Sequence, residues 1–151
     1  MRQDIKLLAS YYVDKFGTRN PYELARCLNV ELQIGDMGAK CGCYMFLKKH
    51  RCIFLNQNLS GSEMLLVLAH ELGHAVLHRT QNCYFIKNKT LLSSDKFELE
   101  ANVFAAELLI NDDMIDEYSN CTIEQFSKCV GIAEELVRLR LKNQNSNFFC
   151  F

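Results

Sequence analysis

The sequence predicts an α+β domain in which a small antiparallel sheet packs on one buried helix and further helices follow toward the C-terminus. Three observations carry this expectation. Apolar residues at helical spacing open the chain and dominate its second half. Short alternating segments lie between residues 30 and 55, and a helix over 61–78 has almost no polar face ahead of its histidines. With 151 residues, 49% of them hydrophobic, one domain can bury a proper core; it is expected over residues 1–142, with a tail at 143–151.

From Arg2 to Lys15, the residues Ile5, Leu8, Ala9, Tyr12 and Val13 recur at helical spacing, and Gly17 suits the helix end. Asn20 can cap a short second helix, with Pro21 in its first turn and Tyr22 to Leu28 as its body. Val30-Glu31-Leu32-Gln33-Ile34 alternates like a strand and Gly35 ends it. Two more apolar segments, Cys43 to Leu47 and Cys52 to Leu55, flank Lys48-Lys49-His50-Arg51 and read as a hairpin whose solvated tip includes His50. Ser60-Gly61-Ser62-Glu63 is a capping box that starts the buried helix near Gly61. Arg79 to Ser94 is polar and irregular apart from Cys83-Tyr84-Phe85-Ile86; it reads equally as a flap or as a surface loop with one apolar anchor. A helix follows over Asp95 to Leu109. Beyond Asp112 the chain is helical again, with Thr122-Ile123-Glu124-Gln125 as a capping box, a break near Gly131 and a last helix from Ile132 to Leu141.

The formal net charge is −1 and the pI is near 6.4, so no overall positive field favours nucleic acid or an anionic membrane. Arg138, Arg140 and Lys142 after a Gly-containing turn faintly suggest a helix-turn-helix, but a helical pair packed on the core fits the charge balance better, and direct nucleic-acid binding is not expected. The N-terminus has no signal-peptide pattern and no apolar run approaches ~20 residues, so a soluble cytoplasmic protein without membrane partners is expected. In that setting the eight cysteines should be reduced thiols. Cys41-Gly42-Cys43 with Cys52 lacks a fourth ligand and reads as small hydrophobes on the hairpin.

The chemistry concentrates in Val67-Leu68-Ala69-His70-Glu71-Leu72-Gly73-His74-Ala75-Val76-Leu77-His78. His70 and His74 lie on one helix face a turn apart, and Glu71 can turn toward a water held by the same metal, the HExxH arrangement of metallopeptidases. Burying two imidazoles and a carboxylate among aliphatics is costly unless each is paired or coordinated, and one divalent metal satisfies all three. One helix cannot wrap a third ligand around that metal. His78, two turns or roughly 12 Å beyond His70, suits packing or hydrogen bonding near the site instead. Turning roughly 100° per residue along the next helix puts Glu98 with Ala101, Asn102, Ala105 and Leu109 on the core side, and Glu100 with Lys96 and Glu107 on the polar side. Glu98 can approach a buried cation, or Asp95 to Glu98 can be a capping box with no metal role. Asn102 can hold a ligand histidine through its amide.

Ile53-Phe54-Leu55-Asn56, Leu68-Ala69-His70-Glu71-Leu72-Gly73-His74 with Leu77-His78, and Glu98 to Leu109 together resemble the ImmA/IrrE family of metallopeptidases, over roughly residues 20 to 140. The resemblance implies a zincin-like, gluzincin-type domain in which His70, His74 and Glu98 bind Zn2+, Glu71 is the catalytic base and Asn102 supports the site. It also implies a cytoplasmic endopeptidase that cleaves a helix-turn-helix repressor, often of a phage or mobile element. The alternative is a zinc-containing regulatory protein that captures the repressor without cutting it. Tyr84, Arg79 and His78 are candidates for stabilising the oxyanion. Ile110-Asn111 departs from the Met-Pro with which family members often end the second helix.

Overall fold

The computed structural model describes residues 2–86 and 89–145. Its elements run α1 (Arg2–Phe16), α2 (Pro21–Cys27), β1 (Glu31–Gly35), β2 (Gly42–Leu47), β3 (His50–Asn56), α3 (Gly61–Leu77), β4 (Cys83–Phe85), α4 (Lys96–Leu109), α5 (Asp112–Glu117), α6 (Ile123–Val130) and α7 (Glu134–Asn145). Local chemistry accounts for the helix starts. The side chains of Asn20, Asn111 and Asp95 accept amides of the first turns of α2, α5 and α4. Ser60 with Glu63, and Thr122 with Gln125, close complete capping boxes on α3 and α6.

The four strands are ordered β1-β3-β2-β4, and β2 is antiparallel to both β3 and β4. The sheet is mixed, however, where a purely antiparallel one was expected, because β1 runs parallel to β3. With β3 and β4 on its two edges, β2 has none left for β1, which joins the open edge of β3 instead. The crossing segment is pinned by buried Asn56, whose amide donates to the carbonyls of Gly38 (3.0 Å) and Lys40 (2.8 Å). The hairpin is also tighter than the sequence suggested. Leu47 pairs with His50 across Lys48 and Lys49, both at positive φ (49° and 67°), as a two-residue hairpin turn with matching twist requires. His50 is exposed, while Arg51 turns inward and donates to the carbonyls of Ala75 and Leu28.

The sheet and α4 both pack against α3, and α4 is also covered by α1 and α7. The main core holds Leu24, Tyr44, Ile53, Leu55, Leu68, Leu72, Phe104 and Leu108. Ile110, Phe126 and Val137 form a second cluster between α4 and the C-terminal helices. Because α4 is covered on several sides, it lacks the polar face assigned to it. Glu107, expected outside, is buried; it accepts the Asn143 amide at 2.5 Å and faces the Arg140 guanidinium at 3.4 Å. Arg140 also donates to the Ile110 carbonyl (2.9 Å) and to Asp112 (2.5 Å), so its charge serves helix packing. Consequently α7 continues through Asn143, where a tail was expected to begin, and the remainder of that tail, 146–151, lies outside the described residues.

Two close approaches define the positions of sheet and helix. A Cβ on Gly42 would meet Val67 Cγ1 at 2.7 Å, and one on Gly73 would meet the Cα and carbonyl oxygen of Ala101 at 3.0 and 3.1 Å. At Gly73 the neighbour is backbone, which yields only if α4 moves as a body. We therefore expect Gly73→Ala to destabilise the protein by about 1–3 kcal/mol, as overpacking does. Gly61→Ala is the control, since nothing lies within 4 Å of its added Cβ. Denaturant midpoints test this, and an unchanged midpoint for Gly73→Ala would show that α4 yields freely.

Candidate metal centre

The α3 and α4 contact brings the predicted residues together. His70, Glu71 and His74 project from the buried stretch of α3 and are each at most 1% exposed. On α4, the Asp95 side chain accepts the amides of Phe97 (3.0 Å) and Glu98 (3.2 Å), while the Glu98 carboxylate reaches back to α3. Capping and inward direction, alternatives in the sequence, thus coexist. Glu98 lies 3.1 Å from His70 Nε2 and 3.2 Å from His74 Nε2, and the two Nε2 atoms are 3.1 Å apart.

The outer partners decide which ring nitrogens carry protons. Asn102 donates its amide to the Thr90 carbonyl (3.2 Å), so its Oδ1 faces His70 Nδ1 at 2.7 Å and must accept from it. His70 Nε2 is then bare in the neutral ring. His78 Nε2 is 2.7 Å from the Glu100 carboxylate, which can only accept; His78 Nδ1 is therefore bare and accepts from His74 Nδ1 at 3.0 Å. That leaves His74 Nε2 bare as well. Two nitrogen lone pairs and a carboxylate converge on one spot, which calls for a cation between them. Burial pushes the Glu98 carboxyl up, but the facing imidazoles more than offset this and hold it at about 2. The donor set, two imidazoles and one carboxylate with outer hydrogen bonds in place, fits a divalent ion such as zinc.

Glu71 stands beside this centre. Its Oε2 accepts the Cys83 thiol at 3.2 Å, while Oε1 is buried with no partner among the described residues and can take a water proton. Burial pushes the Glu71 carboxyl up to about 8, against the opposing pull of His74 and Cys83. The Cys83 thiol is itself raised well above its usual range, by burial and by the neighbouring Glu71 charge, and stays a protonated donor. Phe85 sets its ring edge-on to His70, 4.9 Å between centroids, and Phe97 covers His78 at 4.6 Å.

Several supporting groups escaped the sequence reading. Glu100 is not a solvated residue of a polar face; it is half-buried and anchors His78, and through it His74. Cys83 had no ligand spacing to mark it, yet β4 directs it at Glu71; with His74 these form a second group of candidate ligands among the described residues. Cys41, Cys43 and Cys52 are buried and belong to neither group. Of the three oxyanion candidates, His78 has both ring nitrogens engaged. Tyr84 alternates with Cys83 and Phe85 along β4, so it faces away from α3, beneath Lys40 Nζ at 3.9 Å. The Arg79 guanidinium sits over Phe46 at 5.3 Å.

Two predictions follow from these hydrogen bonds and this burial. Asn102→Ala and Glu100→Ala should each weaken metal binding by ~10–100-fold, the usual cost of losing an outer partner. Glu100→Gln should cost less, because its amide oxygen still accepts from His78. Competition with a chromophoric chelator measures this, and wild-type affinity in Glu100→Ala would remove His78 from the support. The second concerns the metal-free protein. Glu71 ionises near 4.5 when unfolded but stays protonated to about 8 when folded, so stability should fall as pH rises through that interval. Glu98, held low, acts in the opposite sense, losing its stabilising effect only as pH falls below its unfolded value. Denaturant unfolding between pH ~5 and ~8 should show the decline in wild type and not in Glu71→Gln; an equal decline in both would assign it to another group.

Comparison with known proteins identifies the family. Residues 25–142 match the model of the IrrE N-terminal-like domain, a peptidase family. The chain is 37% identical over 147 residues to immunity region protein 2 of Bacillus phage phi105, covering 95% of this chain and 93% of that protein. It is 32% identical over 115 residues to metallopeptidase ImmA of Bacillus subtilis strain 168, covering 75% of this chain and 67% of that protein. The fold, the facing helices and these matches lead to one conclusion: the chain belongs to the ImmA/IrrE family of metallopeptidases.

Proposed function

We propose that the protein is a zinc-dependent endopeptidase of the cytoplasm that cleaves a helix-turn-helix repressor of a phage or mobile element. The observation that carries this reading is the convergence of two bare imidazole nitrogens and the Glu98 carboxylate beside a buried Glu71, one of whose oxygens has no partner among the described residues. Three protein ligands leave zinc an open position, as catalytic sites do, whereas structural sites fill all four. The similarity to a phage immunity region protein and to a metallopeptidase supports a regulatory substrate.

His70, His74 and Glu98 would hold the ion, kept in register by Asn102 and by the His78–Glu100 pair. When bound, zinc supplies Lewis acidity, polarising the scissile carbonyl and bringing the pKa of water toward ~7. Glu71 accepts the proton of the attacking water at Oε1 as the oxygen bonds to the carbonyl carbon. It then returns that proton to the amine as the C–N bond breaks. The thiol of Cys83 keeps Oε2 occupied and so presents Oε1 to the water.

Glu71→Gln separates cutting from capture. It keeps shape and both histidines but cannot take the proton at neutral pH. The zinc-loaded variant should retain metal and bind the helix-turn-helix repressor that the wild type cleaves, yet lose cleavage by ~10²–10⁴-fold. Mass spectrometry of the repressor, read with a cellular reporter of repression, checks this. Full derepression by Glu71→Gln with the repressor intact would establish capture and overturn the peptidase reading.

A further inference from the structure

Among the described residues two groups of side chains can each gather on one ion, and they share a histidine. The first is His70, His74 and Glu98, which the proposed reaction uses. The second is Glu71, His74 and Cys83, whose candidate ligand atoms all lie within 4.8 Å of one another. Ligand atoms around a tetrahedral zinc stand roughly 3.3–3.7 Å apart, given bonds of about 2.0–2.3 Å. Glu71 Oε2 and Cys83 Sγ, 3.2 Å apart, already have nearly that spacing. Glu71 is fully buried and its Oε1 has no partner among the described residues, so the carboxylate is open to a cation. Cys83 is a free thiol and only half-buried, so an ion reaches it from solvent.

The shared histidine decides how the two groups relate. His74 donates from Nδ1 to His78, which leaves it one lone pair, on Nε2. That lone pair binds a single ion, drawn either toward His70 and Glu98 or toward Glu71 and Cys83. The donor sets also differ in kind. Two imidazoles and a carboxylate suit zinc, whereas a set that includes a thiolate sulfur favours softer ions.

We propose that Glu71, His74 and Cys83 form a second metal position, exclusive of the first, that takes a thiophilic divalent ion such as Cd2+. As the sulfur binds the ion, the Cys83 thiol proton leaves to solvent. The bare nitrogens of the first position need no such release, so zinc stays there, while a softer ion gains more from the sulfur than the release costs. An ion in the second position occupies the glutamate that the proposed reaction needs as its base, and it draws His74 away from the zinc ligands. Where the peptidase reading holds, the chain thus carries an off state that thiophilic ions select.

The test adds one equivalent of Cd2+ to the zinc-loaded wild-type chain and reads neither cleavage nor repressor binding. Elemental analysis after desalting should show zinc released one for one. Peptide mapping by mass spectrometry should show Cys83 losing its reactivity toward alkylation with cadmium bound and keeping it with zinc bound, while the exposed Cys27 and Cys121 stay reactive in both. Two variants separate the positions. Glu98→Gln removes a ligand of the first position alone, so it should weaken zinc and leave cadmium binding and Cys83 protection in place. Cys83→Ser should keep zinc and weaken cadmium by more than the ~10–100-fold that losing an outer partner costs. Zinc released with Cys83 still reactive would put cadmium in the first position, and Cys83 protected with zinc retained would make the positions independent; either result overturns the proposal. So does neither release nor protection. Release with protection, in a zinc-loaded protein that cuts no repressor, would uphold the second position and count against the peptidase reading alone.

Discussion

The backbone contact between α3 and α4 is the constraint on which both the core and the metal centre depend. Gly73 lets Ala101 approach so closely that even a methyl group would press on backbone atoms at 3.0 Å. One turn before Ala101 is Glu98, which reaches both histidine Nε2 atoms; one residue after it is Asn102, which reaches His70 Nδ1. A shift of α4 by a fraction of an ångström would therefore act on the ligand set and its support together. The sheet on α3, with α1 and α7 behind α4, holds the pair in that position.

Buried polar groups follow one rule throughout. Each chain of hydrogen bonds away from the centre ends on a group that can only accept, a carbonyl for Asn102 and a carboxylate for His78. Protons are thus drawn outward, and the inward nitrogens are left bare. Glu71 breaks the rule on Oε1, which leaves that oxygen chemically available beside the centre. Far from the site, Glu107, Arg140 and Asp112 use the same logic to dock α7, and this consumes one of the cations that had hinted at a DNA-reading helix. The C-terminal pair instead closes the second core cluster through Phe126 and Val137.

The three glutamates of α4 show how far periodicity can be trusted. Glu98 is inward as the helical wheel predicts, because it lies in line with Ala101, Asn102 and Ala105 on the face that meets α3. Glu100 and Glu107 fail the same wheel for different reasons. Glu100 sits at the edge of the α3 interface, where His78 supplies a partner. Glu107 sits under α7, an element whose docking the α4 sequence cannot announce. A wheel assumes one buried face, and α4 has several.

By itself the sequence determined the helix boundaries at Asn20, Ser60, Asp95 and Thr122, the hairpin, the burial of α3, and a pair of imidazoles with a glutamate between them. These are local matters: caps, turn residues and i,i+4 spacing act within a few residues of chain. Only the tertiary structure decided the parallel pairing of β1, the support of His74 through His78 and Glu100, and the approach of Cys83 to Glu71. Each of these joins segments that share no periodicity. Their meeting is set by which edges and faces remain open once the larger helices have packed.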